Sequence, residues 1–157
     1  MQQLIVFEVG QHQFAFKASA VVEIIRAVEV TALPRPNPPF IGVINYRGTV
    51  VPVVRMSDLF GLNSRVTQIN EQMIIASDST LPLVCLIVDQ VIAFASAELL
   101  QPASEAGQIQ PQRTITAELA RLETRLVPII NLPTLLSGTH SVIRTDTLPE
   151  ASQFNEN

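Results

Sequence analysis

Tryptophan is absent from this 157-residue chain, tyrosine and cysteine occur once each, and only 15% of residues are charged. The lone Cys85 cannot form an internal disulfide, so a disulfide-built secreted fold is excluded. Between Val84 and Leu86 it reads as an inert core residue. Ten Lys+Arg against fourteen Asp+Glu give a net charge of −4, whereas a dedicated nucleic-acid binder carries a basic footprint. No nucleic-acid partner is expected. The six glycines are scattered and make no phosphate-binding loop, and His12 and His140 stand apart without metal spacing. No catalytic residue, metal site or cofactor is indicated, so an enzyme is not expected. Asp78 and Asp89 could meet in space, but their spacing does not say so.

A long hydrophobic run is missing too. The longest charge-free stretch, residues 126–143, is interrupted by Pro128, Asn131, Pro133, Gly138 and His140, while a spanning helix needs about twenty mostly apolar residues. Direct membrane insertion is not expected. The opening Met1-Gln2-Gln3-Leu4 lacks a basic n-region, and the expected location is cytoplasmic. With 47% hydrophobic residues the chain is too apolar to be disordered, and its length suits a core without disulfides.

What is present is a series of short Val-, Ile- and Leu-rich runs separated by Gly, Pro, Asn and Ser. Leu4 to Val9 and Phe14 to Phe16 flank the polar Gly10-Gln11-His12-Gln13, a hairpin pattern. Phe40 to Asn45 and Thr49 to Val54 flank Tyr46-Arg47-Gly48, where Gly48 supplies the positive φ of a tight turn. Met73 to Ala76, Leu83 to Val88, Val91 to Ala95 and Leu126 to Ile130 complete the expected strands. Pro52 and Pro128, inside apolar runs, are expected at sheet edges or bulges. Short helical turns are expected at 19–25, 56–60 and 132–136. The class is mainly β, a small barrel or a sandwich.

One internal repeat sharpens this. Val51-Pro52-Val53-Val54-Arg55-Met56-Ser57-Asp58-Leu59-Phe60 recurs as Val127-Pro128-Ile129-Ile130-Asn131-Leu132-Pro133-Thr134-Leu135-Leu136. An apolar hairpin precedes each copy, which predicts two similar β units of about seventy residues. The Pro-rich segment 32–39 reads as a stiff extended loop, and the polar residues 139–157 as a disordered tail. The basic residues are arginine except for Lys17. Arg47 stands out, because a tight turn projects it beside Tyr46 and an exposed Tyr-Arg pair has hot-spot composition. A solvated turn arginine is the plainer alternative.

The run Gly42-Val43-Ile44-Asn45-Tyr46-Arg47-Gly48-Thr49-Val50-Val51-Pro52-Val53-Val54 resembles the signature of the CheW-like chemotaxis coupling-protein family. Leu4-Ile5-Val6-Phe7, Val21-Val22-Glu23-Ile24, Leu86-Ile87-Val88-Asp89-Gln90-Val91 and residues 126–136 fit the flanking pattern. The resemblance implies two intertwined SH3-like five-stranded β-barrels with short helices, in a single domain at 1–138. Its subdomains would lie at roughly 1–66 and 67–138. It also implies a non-catalytic adaptor whose partners are a chemoreceptor (methyl-accepting) cytoplasmic tip and the regulatory domain of a CheA-type histidine kinase.

By the same resemblance, Arg47, Val21, Glu23, Met73 and Phe94 would bind the receptor, and Gly42 would lie at the kinase contact. From the residues alone, Val21, Met73 and Phe94 suit a core equally well, and Glu23, in an apolar stretch, calls for a partner such as an arginine. Arg55 stands where the family usually has Asp, and Tyr46 where it usually has Leu. The first change could break an internal pair or alter a partner surface. A coupler for type IV pilus twitching or phototaxis is the nearest alternative. A small β-barrel module for nucleic acid or a small ligand is the alternative of another class.

Overall fold

The computed structural model describes residues 1–34, 39–63, 66–78, 81–100 and 118–135. Eleven strands and one α-helix are formed there: β1 (Gln2–Val9), β2 (His12–Lys17), β3 (Val21–Arg26), β4 (Thr31–Ala32), β5 (Phe40–Tyr46), β6 (Thr49–Arg55), α1 (Met56–Phe60), β7 (Gln72–Asp78), β8 (Leu81–Val88), β9 (Gln90–Leu100), β10 (Glu118–Leu122) and β11 (Arg125–Ile129). A further helical turn occupies residues 132–135. The expected 139–157 tail and the centre of the Pro-rich segment lie outside the described residues.

Two sheets share the strands. One is a closed barrel in the order β1-β2-β11-β10-β9, and the other is a six-stranded sheet in the order β3-β7-β8-β6-β5-β4. The two have the same plan. A β-hairpin (β1–β2 or β7–β8) is flanked on one side by a parallel strand, through Ile129↔Ala15 in the barrel and Val53↔Cys85 in the sheet. That parallel strand (β11 or β6) pairs antiparallel with its predecessor (β10 or β5). The strand before that closes the circuit.

In the barrel the closing strand is the 11-residue β9, which pairs with β1 through Gln90 to Ala97 and with β10 through Glu98 to Leu100. In the sheet its counterpart breaks at residues 27–30 into β3 and β4. These edge strands are consecutive in the chain, so the covalent chain closes what the backbone ladder leaves open. The expected five-stranded second barrel is therefore a six-stranded sheet, because one strand is broken.

The repeat carries the fold, but its halves do not fold side by side. Strands β9–β11 are completed by the first hairpin, β1–β2, and strands β3–β6 by the second hairpin, β7–β8. A division near residues 66 and 67 thus does not separate the two sheets. Each half lends its hairpin to the other.

The repeated proline has a shared position that explains its tolerance. Pro52 pairs with Val43 and stands one residue before the β8 ladder begins at Val53. Pro128 pairs with Leu119, one residue before Ile129 meets Ala15. Each lies just outside the parallel ladder, where a missing N–H removes no ladder bond.

Alternating side chains divide into three cores. Leu4, Val6, Ala15, Ala97, Ala120, Val127 and Ile129 fill the barrel. Ile44, Val51, Val53, Met73, Ile75, Cys85 and Ile87 fill the curled sheet. Between them lies a third core, in which Phe7, Val9 and Phe16 meet Val54, Met56, Ile74, Leu86, Val88, Leu132 and Leu135. Both faces of the hairpin strands are thus buried, which is why their sequences are continuously apolar rather than alternating. Phe7 stacks on Phe16 with ring centroids 5.0 Å apart, and Phe14 on Phe60 at 4.6 Å. Asp89, also buried, accepts from Gly10 N at 2.9 Å, while its own N–H donates to Glu8 O at 2.9 Å. It stitches the first hairpin's turn to the start of β9.

The helical turn expected at 19–25 is a correction. Only Ala18–Ala20 is helical, and Val21 onward is strand β3. The β-branched run Val21-Val22 and Ile24-Ile25 favours a strand.

Candidate functional site

The tip of the β5–β6 hairpin concentrates exposed polar chemistry. Tyr46 pairs with Thr49 across the two-residue turn Arg47-Gly48, and φ is +50° at Arg47 and +84° at Gly48. Two consecutive left-handed residues make the turn that matches the twist of a hairpin. A positive φ is uncommon at a non-glycine residue. Asn45 holds it there, its Oδ1 accepting from Gly48 N at 2.8 Å. Nothing lies within 4 Å of where a Gly48 Cβ would stand, so the tip projects freely.

Glu23 reaches this tip from β3. The register between β3 and β7 shifts between Val21 and Glu23, a bulge that leaves Val22 exposed and re-aims the residue that follows. Glu23 Oε1 accepts from Arg47 Nη2 at 2.8 Å and also from the Tyr46 hydroxyl. The Arg47 guanidinium carbon lies 5.3 Å from the Tyr46 ring centroid, within the range of a cation–π contact. The hydrogen bond to Glu23 pushes the Tyr46 phenol above its usual 10.0, with desolvation adding to the rise and the Arg47 charge opposing it. Arg47 keeps 72% of its side chain exposed, so a charged group is held still without being buried.

The internal repeat shows that the fold does not need this cluster. The alignment that sets Val51 beside Val127 sets Tyr46 beside Leu122 and Arg47 beside Glu123, while the strand register, with Glu23 opposite Ile75 and Ala93 opposite Val6, sets Glu23 beside Ala93. Leu122 packs against the barrel core, and Glu123 takes the positive φ of the matching turn. One barrel has leucine, alanine and glutamate at these places, while the other assembles a Tyr-Glu-Arg cluster at its surface.

The remaining sequence-derived site residues are scattered. Val21, two residues before Glu23, is half-buried against the central core. Phe94 is 72% exposed on the other barrel, in register with Ile5, which in turn pairs with Phe16 of the central core. It therefore ends a cross-strand apolar row that begins between the barrels. Met73 is 2% exposed and belongs to the core of the curled sheet. Facing inward on β7, it packs in that core and borders the cleft beside the break between β3 and β4. Gly42 is buried, and a Cβ there would stand 2.4 Å from Thr31 O. The missing side chain lets β4 approach β5.

Two features could not be read from the sequence. Glu71, 4% exposed, accepts from Arg55 Nη1 with both carboxylate oxygens at 2.6 Å. Arg55 is thus internally paired. The pair borders a cleft of about 410 Å³ that is also lined by Val28, Glu29, Val30 and Ile69, beside the break between β3 and β4. Among the described residues no three His, Cys, Asp or Glu side chains gather as a metal site, and no helix is long and apolar enough to cross a membrane.

Comparison with known proteins agrees with this architecture. The family model described as the CheW-like domain matches residues 3–146. The probable chemotaxis protein CheW of Rhizobium etli is 28% identical over 142 residues, covering 89% of this chain and 90% of its own length. The chemotaxis protein CheW of Rhizobium meliloti is 29% identical over 133 residues, covering 83% and 84%. The crystal structure of the scaffolding protein TtCheW from Thermoanaerobacter tengcongensis matches with a TM-score of 0.74 at 21% identity, covering 87% of this chain and 92% of that one.

Proposed function

We propose, from the premise that this chain belongs to the CheW-like domain family, that it couples chemoreceptors to a CheA-type histidine kinase. Membership makes it a non-catalytic scaffold protein of chemotaxis. The finer reading is that the hairpin tip of β5–β6 receives the cytoplasmic tip of a methyl-accepting receptor. Another surface would engage the kinase regulatory domain, and the protein would work in the cytoplasm at membrane-associated arrays.

The observation that carries the receptor assignment is the Tyr46-Glu23-Arg47 cluster. It is charged, its arginine is exposed and rigidly turned, and the matching places of the other barrel, Leu122, Glu123 and Ala93, hold neither an arginine nor a tyrosine. Such a cluster serves recognition, because the same backbone closes without it. Val21 beside it and Phe94 on the other barrel are proposed as apolar contacts of the same partner.

The test is a calorimetric titration of the protein with the kinase regulatory domain and, separately, with a receptor-tip hairpin from the same genome. Saturable one-to-one binding near micromolar, about −8 kcal/mol, is expected for each. Binding to the kinase domain alone would withdraw the receptor assignment. Binding to neither would withdraw the coupling function and leave the fold.

A further inference from the structure

An arginine and a carboxylate left to themselves favour a two-pronged pair, two parallel N–H···O bonds that occupy both oxygens. At the β5–β6 tip that arrangement is not formed. Arg47 donates one hydrogen bond, from Nη2 to Glu23 Oε1, and the Tyr46 hydroxyl donates to that same oxygen. The ring below the hydroxyl lies against the guanidinium. One side chain thus holds Glu23 by its hydroxyl and Arg47 by its π face.

We infer that Tyr46 is a positioning residue, whose hydroxyl shares Glu23 Oε1 with Arg47 and so keeps the guanidinium's other N–H groups turned outward for a carboxylate on the partner. In naming a receptor as that partner, the inference rests on the coupling function proposed above. Three observations support it. Arg47 is highly exposed although it is ion-paired. The fold tolerates Leu122 and Ala93 at the matching places of the other barrel, so packing does not demand a phenol or a carboxylate here. Tyr46 and Arg47 are also held next to each other by a turn with no freedom to spare, both turn residues being in the left-handed region. Without the hydroxyl, Glu23 is free to rotate and accept two guanidinium nitrogens, which withdraws donors from the partner.

The chain provides its own probe, since Tyr46 is the only tyrosine and there is no tryptophan. Absorbance titration of the phenol therefore reports this cluster alone. In the wild type the phenol is expected to titrate above 10, and in Glu23→Gln to move down toward that value. Tyr46→Phe keeps the ring and removes the hydroxyl. It is expected to weaken binding of a receptor-tip hairpin about fivefold, with an unchanged circular dichroism spectrum. Tyr46→Leu, which also removes the π face, is expected to weaken it further.

A phenol that titrates identically in wild type and Glu23→Gln overturns the inference. So does a Tyr46→Phe protein that binds the hairpin as the wild type does. If the wild type binds no receptor hairpin, the receptor assignment fails, and the phenol titration still decides whether Tyr46 holds Glu23.

Discussion

Two arginines show how exposure decides what a charge does. Arg47 forms its pair in solvent, where ion pairs contribute little to stability, so Arg47→Ala should leave the urea midpoint nearly unchanged. Receptor-tip affinity should fall about thirtyfold, the loss of about 2 kcal/mol expected of a hot spot, read by the same calorimetric titration. Arg55 is the opposite case. Its partner Glu71 is almost wholly buried, and removing the arginine strands a carboxylate in the interior. Arg55→Ala should cost about 3 kcal/mol in urea denaturation, while the double change Arg55→Met with Glu71→Leu should cost much less than the two single changes combined. The sequence called for an arginine near Glu23 but could not name it, since the pairing depends on a bulge at Val22. It flagged Arg55 as unusual, and its partner sixteen residues away stayed hidden because register, not spacing, brings them together. The inward turn of Met73 was hidden for the same reason: an apolar residue on a strand shows its alternation but not which side is the interior.

At the level of elements, strongly apolar runs were legible and weak ones were not. All eight expected strands formed, seven of them within two residues of their expected ends and β9 running five residues past its own, and α1 formed at Met56–Phe60 as expected. Strand β10, Glu118–Leu122, escaped because Glu-Leu-Ala-Arg-Leu is made mostly of helix formers and becomes a strand only between β9 and β11. Strand β4 escaped because two residues carry no pattern. Yet β4 has a measurable consequence through Gly42. A methyl group there meets the Thr31 carbonyl at 2.4 Å, so Gly42→Ala must push β4 away from β5. A destabilisation of about 1–3 kcal/mol is expected, with faster hydrogen exchange at the β4–β5 amides and little change in the closed barrel. Uniform loss of protection across both sheets would argue against that local account.

For the molecule as a whole, the repeat foretold two equivalent units, but not that they exchange hairpins. Both arrangements satisfy the same hydrophobic pattern, and only the route of the chain distinguishes them. A chain cut between α1 and β7 should therefore give two fragments that stay unfolded separately and regain native circular dichroism when mixed, because each sheet needs a hairpin from the other fragment. Cys85 reports on the same cooperativity. Burial pushes its thiol up to about 12 from the usual 9.0, so the native state holds it neutral while the unfolded chain ionises near 9. The thiol's contribution to stability is full below pH 9 and declines as the pH rises from 9 toward 12. The urea midpoint should fall in that window less steeply for Cys85→Ala than for the wild type. The exchange of hairpins also bears on how the protein is made. Lys17 leaves the ribosome long before Gln90, with a delay of roughly 4–15 s at about 5–20 residues per second. Through that interval the apolar faces of the first hairpin, Phe7 and Phe16 among them, have no barrel to enter, which makes the nascent chain a natural client for a chaperone at the tunnel exit.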